Sequence, residues 1–330
     1  MQYRIQEKVL SSLELCAGGG GQALGIEFAG FEHKGLVEID QHCCNTLRLN
    51  RPHWQVYEQD IETFDGSPFE EIDLLAGGLP CPPFSKAGKQ LGKADERNLF
   101  PAAIRLIEQI RPRAVMIENV RGILDAIFED YRQYVSGQIA RLGYKTDWRL
   151  LNASDYGVPQ LRPRVVFVAI LEKYAPAFEW PTPHKQRPLT VGETLFDLMA
   201  SRYWRGALSW REQANEIAPT IVGGSKKHGG PDLGPTRARK AWAALNVDGI
   251  GIADEPPDFN FVGIPRLTVP MVARLQGFPD DWFFTGKKTQ AYRQVGNAFP
   301  PPVACAVATQ IYACLTARRI FSITKQQSWA

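Results

Sequence analysis

Residues 11–40 read SSLELCAGGGGQALGIEFAGFEHKGLVEID and contain the pattern that decides the fold. The apolar run 11–16 predicts a strand, and four consecutive glycines follow it. Residues 22–31 have the apolar spacing of a helix that Gly30 ends, and residues 34–40 predict a second strand. A strand, a glycine turn, a helix and another strand are typical of a parallel βαβ unit.

The same alternation continues to about residue 171. Further strands are predicted at 72–78, 113–120, 144–151 and 164–171, with helices at 41–50, 99–112 and 129–142. Alternating units imply an α/β fold, a doubly wound and mostly parallel sheet with helices on both faces. Ligands of such sheets bind beyond the carboxyl ends of the strands, where the polar and glycine-rich segments of this chain fall.

The pattern changes after residue 172. Four prolines in residues 174–190 predict a linker or a domain edge. Residues 223–239 are glycine-rich, basic and poorly periodic, which predicts loops of a smaller, irregular domain. Helical spacing returns at 268–276 and 302–317.

The composition fits a globular protein with an ordinary core. Of 330 residues, 44% are hydrophobic and 22% are charged, and the formal net charge of +3 neither requires nor excludes nucleic acid. The six cysteines form no C-x-x-C pair, so no zinc or other metal site is expected. No signal peptide and no apolar run of about 18 residues appears, which predicts a cytoplasmic protein with free thiols.

The glycine turn predicts an adenosine cofactor. Gly18, Gly20 and Ala23 fit the spacing G-x-G-x-x-G/A, which allows a tight turn and a close approach of a ligand to the backbone. Glu38 ends the next predicted strand, where an acid can hold ribose hydroxyls. The pattern alone does not separate NAD from S-adenosyl-methionine, and a turn without a ligand remains an alternative. Asp60 lies where a third parallel strand should end. It could accept a hydrogen bond from an adenine amino group, and a role as a helix N-cap is an equal alternative.

A candidate nucleophile and a candidate acid follow neighbouring strands. Cys81 lies in IDLLAGGLPCPPFS, where glycines and prolines favour a stiff exposed loop over a core position. A thiolate there can attack an electron-poor ring carbon. Glu118 ends the next strand, and a protonated carboxyl at that place can donate to a ring nitrogen. A solvated strand-end acid is the simpler alternative.

Two arginines, Arg162 and Arg164, immediately precede the last predicted strand. Alternation would put both on one face, where they could hold a carbonyl oxygen or a phosphate. Surface charge at the start of a strand is the alternative.

Taken together, these segments resemble the cytosine-C5 DNA methyltransferase family, of the S-adenosyl-methionine-dependent, restriction-modification type. The matching pieces occur in the family's order across residues 13 to about 306: LCAGGGGQALG, VEID, QDI, GGLPCPPFSKAGKQLG, IENV, QLRPR, RLTVPMVARLQGFPD and QVGNAFPPPVA. The resemblance implies a Rossmann-like catalytic and cofactor-binding domain at 1–184, a target-recognition domain at 185–290, and a segment at 291–330 that packs back onto the first.

The resemblance also implies the reaction and its groups. Cys81 would add to carbon 6 of a cytosine that has been flipped out of duplex DNA, and Glu118 would protonate or hydrogen bond N3. Arg164 would bind the carbonyl oxygen of the base, with Arg162 bracing the site. The expected contacts of S-adenosyl-L-methionine are Cys16, Ala17, Gly18, Gly20, Gly21, Glu38, Ile39, Asp60, Ile61, Gly78, Pro80, Leu99, Asn297 and Ala298.

Two basic segments are expected to contact double-stranded DNA. Residues 225–240 carry five basic side chains against one acid, a local charge of +4, and residues 84–98 resemble the family's mobile loop. The expected DNA contacts are Ser85, Lys89, Arg97, Lys226, Lys227, Arg237 and Arg239. Arg237 or Arg239 could read guanine edges. A solvated charge run is the alternative for both segments.

The chain departs from the family pattern at a few positions. Cys16 stands where the family usually has a phenylalanine that packs on adenine, and Leu79 replaces a common proline before Pro80. No catalytic group is missing, so an active enzyme is expected.

Three alternatives stay open. They are the tRNA-methylating branch of the same family, a nicotinamide oxidoreductase supported by the glycine turn alone, and a non-catalytic DNA-binding protein on the same scaffold. A separately encoded restriction endonuclease is a partner that the resemblance allows. The recognised sequence and the oligomeric state are not determined.

Overall fold

The computed structural model describes residues 9–80, 98–224 and 230–326, and a seven-stranded sheet lies at its centre. The strands are β1 Ser11–Leu15, β2 Glu32–Glu38, β3 Val56–Glu58, β4 Leu74–Gly78, β5 Ala114–Val120, β6 Tyr144–Asn152 and β7 Pro163–Leu171. Their order is β3-β2-β1-β4-β5-β7-β6. The first five are parallel to one another, and β7 is antiparallel to both β5 and β6. The predicted mostly parallel sheet is confirmed.

Helices cover both faces of this sheet. The α-helices are α1 Gly21–Phe28, α2 Gln41–Asn50, α3 Phe100–Ile110, α4 Glu129–Ala140, α5 Val191–Ala200, α6 Ala207–Gln213, α7 Thr236–Ala244, α8 Val269–Leu275, α9 Lys288–Asn297 and α10 Pro301–Gln326. Apolar side chains of α3 and α4 pack with one face of the strands, and those of α1 and α10 pack with the other. The fold is therefore doubly wound, as predicted.

The strand order reverses at β1, which lies between β2 and β4. The chain runs outward from β1 through β2 to β3, and then returns to place β4 and β5 on the other side. Loops at the carboxyl ends of β1 and β4 diverge at such a point and leave a crevice where ligands of α/β sheets bind. The glycine turn follows β1, and Leu79 and Pro80 follow β4, so the topology brings both segments to this crevice.

Helix α10 packs along α1. A methyl group added at Gly25 would lie 2.4 Å from the carbonyl oxygen of Pro301 and 2.6 Å from Cβ of Ala304, so only glycine permits this approach. The stretch Lys288–Ala317 is long and apolar enough to cross a membrane by length and composition alone. However, 56% of its most apolar window is buried inside the protein, as in the core helix of a soluble fold.

The region after β7 is more helical than its sequence predicts. The pattern predicts loops throughout residues 223–239, but α7 begins at Thr236, so this prediction is wrong for the last four residues. Helices α5 and α6 were not predicted either. Thr190 and Glu193 form a capping box that starts α5, and Trp210 of α6 is buried. These short helices are fixed by caps and tertiary burial more than by their apolar spacing.

Candidate active site

The glycine turn is packed on one side and open on the other. The indole nitrogen of Trp282 donates to the carbonyl oxygen of Gly19 at 3.1 Å, and a methyl group at Gly20 would lie 2.6 Å from the Trp282 ring. Gly20 also has φ 88°, a left-handed conformation that favours glycine. A methyl group at Gly18 would meet no atom closer than 4.0 Å. The backbone near Gly18 is thus the accessible part of the turn.

Three polar side chains meet beside this open part. The Glu38 carboxylate accepts from the backbone N–H of Gly18 and from that of Asp40, each at 2.7 Å. Burial raises the pKa of Glu38. Burial and the nearby charges of Glu38 and Asp60 raise the pKa of the Cys16 thiol, which keeps it neutral. Cys16, Glu38 and Asp60 therefore lie near one another, at the carboxyl ends of the adjacent parallel strands β1, β2 and β3.

Asp60 also caps its own turn, because its Oδ1 accepts from the backbone N–H of Glu62 at 2.9 Å. Its half-buried carboxylate keeps further lone pairs for a ligand. Nearby Ile61 is buried, and half-buried Leu99 packs in the same apolar cluster as Cys16. Ile39 is 63% exposed, so it lies at the outer rim of this volume.

Glu118 and Arg164 form an ion pair at the neighbouring strand ends. Glu118 pairs with Val166 in the β5–β7 register, and Val120 pairs with Arg164, which puts both side chains on one face of the sheet. Nε of Arg164 lies 2.8 Å from Oε1 of Glu118. Burial raises the pKa of Glu118, although the positive charges of Arg164 and Arg162 oppose this effect. A carboxyl group with a raised pKa retains a proton more readily and can donate it.

Strand β4 connects this pair to the candidate nucleophile. Gly78, the last residue of β4, pairs with Glu118, and a methyl group at Gly78 would lie 3.6 Å from Oε2 of Glu118. Leu79 is buried and Pro80 is exposed. Cys81 follows directly in the sequence but lies outside the described residues, as do the predicted DNA contacts Ser85, Lys89, Arg97, Lys226 and Lys227.

Arg162 lies at the centre of a buried hub. Its guanidinium donates to the carbonyl oxygens of Ile221, Gly296 and Ala298 at 2.8, 2.8 and 3.0 Å. Arg162 is fully buried, and burial lowers its pKa well below the usual value. Its hydrogen bonds therefore connect the residue that precedes β7 to Ile221, in the segment before α7, and to the end of α9. The predicted bracing role is compatible with this geometry but stays a prediction.

Two glutamines for which the sequence predicted no role complete the hub. Gln160 donates to Gln276 Oε1 at 2.6 Å and accepts from the backbone N–H of Ile221 at 2.9 Å. Gln276 in turn donates to the carbonyl oxygen of Ala298 at 2.7 Å. Both glutamines stand in motifs that carried the resemblance, so their position in those motifs was the only sequence signal for them.

The end of α9 reaches the glycine turn. A methyl group at Gly21 would lie 2.3 Å from the carbonyl oxygen of Phe299 and 3.1 Å from Cβ of Ala298. Asn297 is exposed, and its side-chain amide donates to the carbonyl oxygen of Gly224 at 3.3 Å. Asn297 and Ala298 are thus carried to the crevice by close packing with Gly21.

The two predicted DNA-reading arginines of α7 have different surroundings. Arg237 is exposed, whereas half-buried Arg239 donates from Nε to the carbonyl oxygen of Gly234 at 3.0 Å and packs on Gly249. Their role in DNA contact stays a prediction, and the geometry favours Arg237 as the more available of the two.

Comparisons with known proteins agree with this arrangement. Residues 10–313 match the family model of the C-5 cytosine-specific DNA methylase. The chain is 56% identical over 308 residues to the Type II methyltransferase M.NgoMIV of Neisseria gonorrhoeae, covering 92% of this chain and 98% of that protein. It is also 56% identical over 313 residues to the Type II methyltransferase M.NaeI of Lentzea aerocolonigenes, covering 93% and 75% of the two chains.

Solved structures share the fold. A mutant of Spodoptera frugiperda DNMT2 superposes with a TM-score of 0.61 at 18% identity, covering 93% of this chain and 99% of that one. The Entamoeba histolytica methyltransferase EhMeth superposes with a TM-score of 0.64 at 15% identity, covering 94% and 99%. At these identities the likeness concerns the fold alone.

Proposed function

The chain belongs to the C-5 cytosine-specific DNA methylase family, and we propose that it is a Type II DNA methyltransferase that modifies cytosine within a specific duplex sequence. The observation that supports this most is the ion pair of Glu118 and Arg164 at the strand end that leads from Gly78 towards Cys81. It puts an acid and a cation beside Gly78, which precedes the candidate nucleophile by three residues in the sequence and ends a strand next to β1, where the strand order reverses.

In the proposed reaction the sulfur of Cys81 forms a bond to carbon 6 of the cytosine ring. Negative charge then develops over carbon 5 and N3, and the buried Glu118 carboxyl donates its proton or a hydrogen bond to N3. Arg164 binds the carbonyl oxygen of the base and holds Glu118 in place. After the methyl group has joined carbon 5, a base removes the proton from that carbon, the electron pair re-forms the double bond between carbons 5 and 6, and the thiolate of Cys81 leaves. Any proton taken by N3 then returns to Glu118. No described residue is assigned as that base.

The cofactor of this family, S-adenosyl-methionine, fits the donor set in the crevice. It would supply an electrophilic methyl group when bound. The open backbone near Gly18 offers space for close approach, Glu38 can accept from ribose hydroxyls, and Asp60 can accept from an adenine amino group. Asn297 and Ala298 would complete the pocket from the end of α9.

The target atoms of cytosine lie inside the duplex, so the base must leave the stack before Cys81 can reach it. We propose that the basic segment around α7, with Arg237 exposed, contacts the phosphate backbone near the target. Both curated relatives are named Type II methyltransferases, which supports modification within a restriction-modification pair and a separately encoded endonuclease as the partner. The cytoplasm is the compartment where such DNA would be modified.

The test is methyl transfer from labelled S-adenosyl-methionine to mixed-sequence duplex DNA, with tRNA in parallel. We expect label at carbon 5 of cytosine in DNA, and none with Cys81→Ala. A Cys81→Ala protein that still binds DNA would separate catalysis from recognition. Label in tRNA alone would move the substrate to RNA, and full activity of Cys81→Ala would refute the assigned nucleophile.

A further inference from the structure

Two buried polar atoms lie next to the strand ends of the proposed site without a hydrogen-bond partner among the described residues. They are Oε2 of Glu14 and Oε1 of Gln22. Glu14 is 1% exposed and Gln22 is 3% exposed. The proposed reaction uses neither side chain. A buried acceptor without a donor is costly, and one explanation is that a proton is present which turns one of the two acceptors into a donor.

The sheet register places these side chains together. Glu14, Ala76 and Met116 are direct neighbours across β1, β4 and β5. Leu13 and Leu15 pack with the α3 face, so Glu14 points to the opposite face, on which α1 lies.

Gln22, from α1, reaches across the same row of residues. Its Nε2 donates to the carbonyl oxygen of Met116 at 3.3 Å. The Gln22 amide therefore lies above the row that contains Glu14.

We propose that Glu14 is protonated in the folded protein and that its hydroxyl donates to Oε1 of Gln22, directly or through one buried water. The pair is then a neutral carboxyl–amide contact that satisfies both acceptors at once. An ionised Glu14 would leave both acceptors unsatisfied and would place a charge in the interior without a bonded cation among the described residues.

The pair acts as a positioning element for catalysis, an inference that rests on the proposed function. A point beside Gly78, where its Cβ would be, lies 3.8 Å from Oε1 of Gln22 and 3.6 Å from Oε2 of Glu118. Gly78 pairs with Glu118 and precedes Cys81 by three residues. Fixing Gln22 therefore fixes the space between the candidate acid and the strand end that carries the candidate nucleophile.

The charged surroundings of Glu14 agree with a neutral acid. Among the described side chains, the titratable groups on the elements packed around it are Glu27 on α1, Glu32, His33, Lys34 and Glu38 on β2, Glu118 on β5, Arg164 on β7 and Cys305, Tyr312 and Cys314 on α10, with Cys16 directly after β1. Burial lowers the pKa of His33 to about 4, so His33 is neutral, and Arg164 is paired with Glu118. Burial raises the pKa of Glu14 well above its usual value.

The first test is the pH dependence of thermal unfolding in the wild type and in Glu14→Gln. A carboxyl with a raised folded pKa stabilises the protein fully below its unfolded pKa, and this contribution is lost as the pH rises towards the folded pKa. Glutamine cannot ionise, yet its N–H can donate to Gln22 in place of the hydroxyl. We expect similar melting temperatures near pH 5 and an advantage for Glu14→Gln that grows with pH, to about 2 to 6 °C.

The second test measures kcat and KM separately in variants of Gln22 and Glu14. Gln22→Leu keeps the volume but removes both hydrogen bonds, so we expect kcat for DNA methylation to fall about 10- to 100-fold while both KM values change little. Glu14→Leu should do the same, and Glu14→Gln should restore kcat. Ser12→Ala is the matched control: Ser12 lies on β1, as Glu14 does, but pairs with Leu74 at the opposite end of β4 from Gly78, and it contacts His33 of β2 at 3.0 Å in the interior. It should lower stability at every pH and leave kcat unchanged.

A constant melting difference between wild type and Glu14→Gln from pH 5 to 9 would overturn the proposal. So would weaker S-adenosyl-methionine binding by Glu14→Gln without a change in the pH dependence, which would make Glu14 an anionic contact of the cofactor. Absence of DNA methylation by the wild type would instead refute the proposed function, while the unfolding data would still decide the protonation of Glu14.

Discussion

Arg162 and Arg164 are two residues apart, yet their environments differ completely. Arg162 is fully buried and uses its guanidinium to join three backbone carbonyl oxygens from separate parts of the chain. Arg164 is partly exposed at the crevice, and its guanidinium is paired with the acid Glu118. Two identical side chains in one motif thus have different roles: Arg162 connects buried backbone segments, and Arg164 belongs to the candidate site. Residue type alone does not define a role.

Among the substitutions that test this comparison, Glu118→Gln should have the largest effect, and that effect is on kcat. Glu118→Gln preserves the shape but removes the proton that the proposed reaction donates to N3, so kcat should fall about 100- to 10,000-fold. Because burial raises the pKa of Glu118, wild-type kcat/KM should decrease as the pH rises through that raised pKa. Single-turnover methylation over a pH series checks both. Unchanged kcat with normal folding would remove Glu118 from the chemistry.

Arg162→Ala should act on folding instead. It leaves the carbonyl oxygens of Ile221, Gly296 and Ala298 buried without this donor, at a cost of about 3 to 5 kcal/mol in the free energy of unfolding. Urea denaturation followed by tryptophan fluorescence measures this. Arg162→Lys is the control, since one ammonium cannot reach all three oxygens and should give an intermediate loss. A stable Arg162→Ala protein with impaired kcat would mean that the two arginines do not differ as described.

Arg164→Lys should have a smaller effect that is confined to catalysis. A lysine keeps the charge but cannot form the directed Nε contact with Glu118 and still present a second donor to the base. We expect kcat to fall about tenfold, near the value of one charged hydrogen bond, with unfolding unchanged. The comparison breaks down if Arg164→Lys unfolds as easily as Arg162→Ala.

The pair Arg237 and Arg239 offers the same comparison on a second surface, with the smallest expected effect. Exposed Arg237 should contact one phosphate. Arg237→Ala should therefore reduce the magnitude of the slope of log K for DNA binding against log salt concentration by about 0.9. Arg239 is held by Gly234, so Arg239→Ala should mainly lower stability. Titrations at several salt concentrations measure the slope. A change in sequence preference with Arg237→Ala would indicate base reading.

Much of the fold could be predicted because its pattern is local. The strands and helices up to residue 171 follow from the spacing of apolar residues and from glycines at the ends of elements. The alternation of strands and helices alone predicted the mostly parallel, doubly wound sheet. Helices α5, α6 and the start of α7 were missed. A local capping box starts α5, whereas α6 and α7 each bury a tryptophan, and that burial depends on partners that are distant in the sequence.

The sequence by itself determined the family, the order of the motifs and the residue types available for chemistry. It placed Glu118 at the end of one strand and Arg164 at the beginning of another but left open whether they meet. The tertiary structure decided that, since the antiparallel register of β5 and β7 sets them on one face. It also decided that Arg162 is buried and that Glu14 and Gln22 lie under the strand ends of the proposed site. Burial and contact depend on packing between segments that are 94 and 134 residues apart in the contacts of Gln22 and Arg162, which no local pattern encodes.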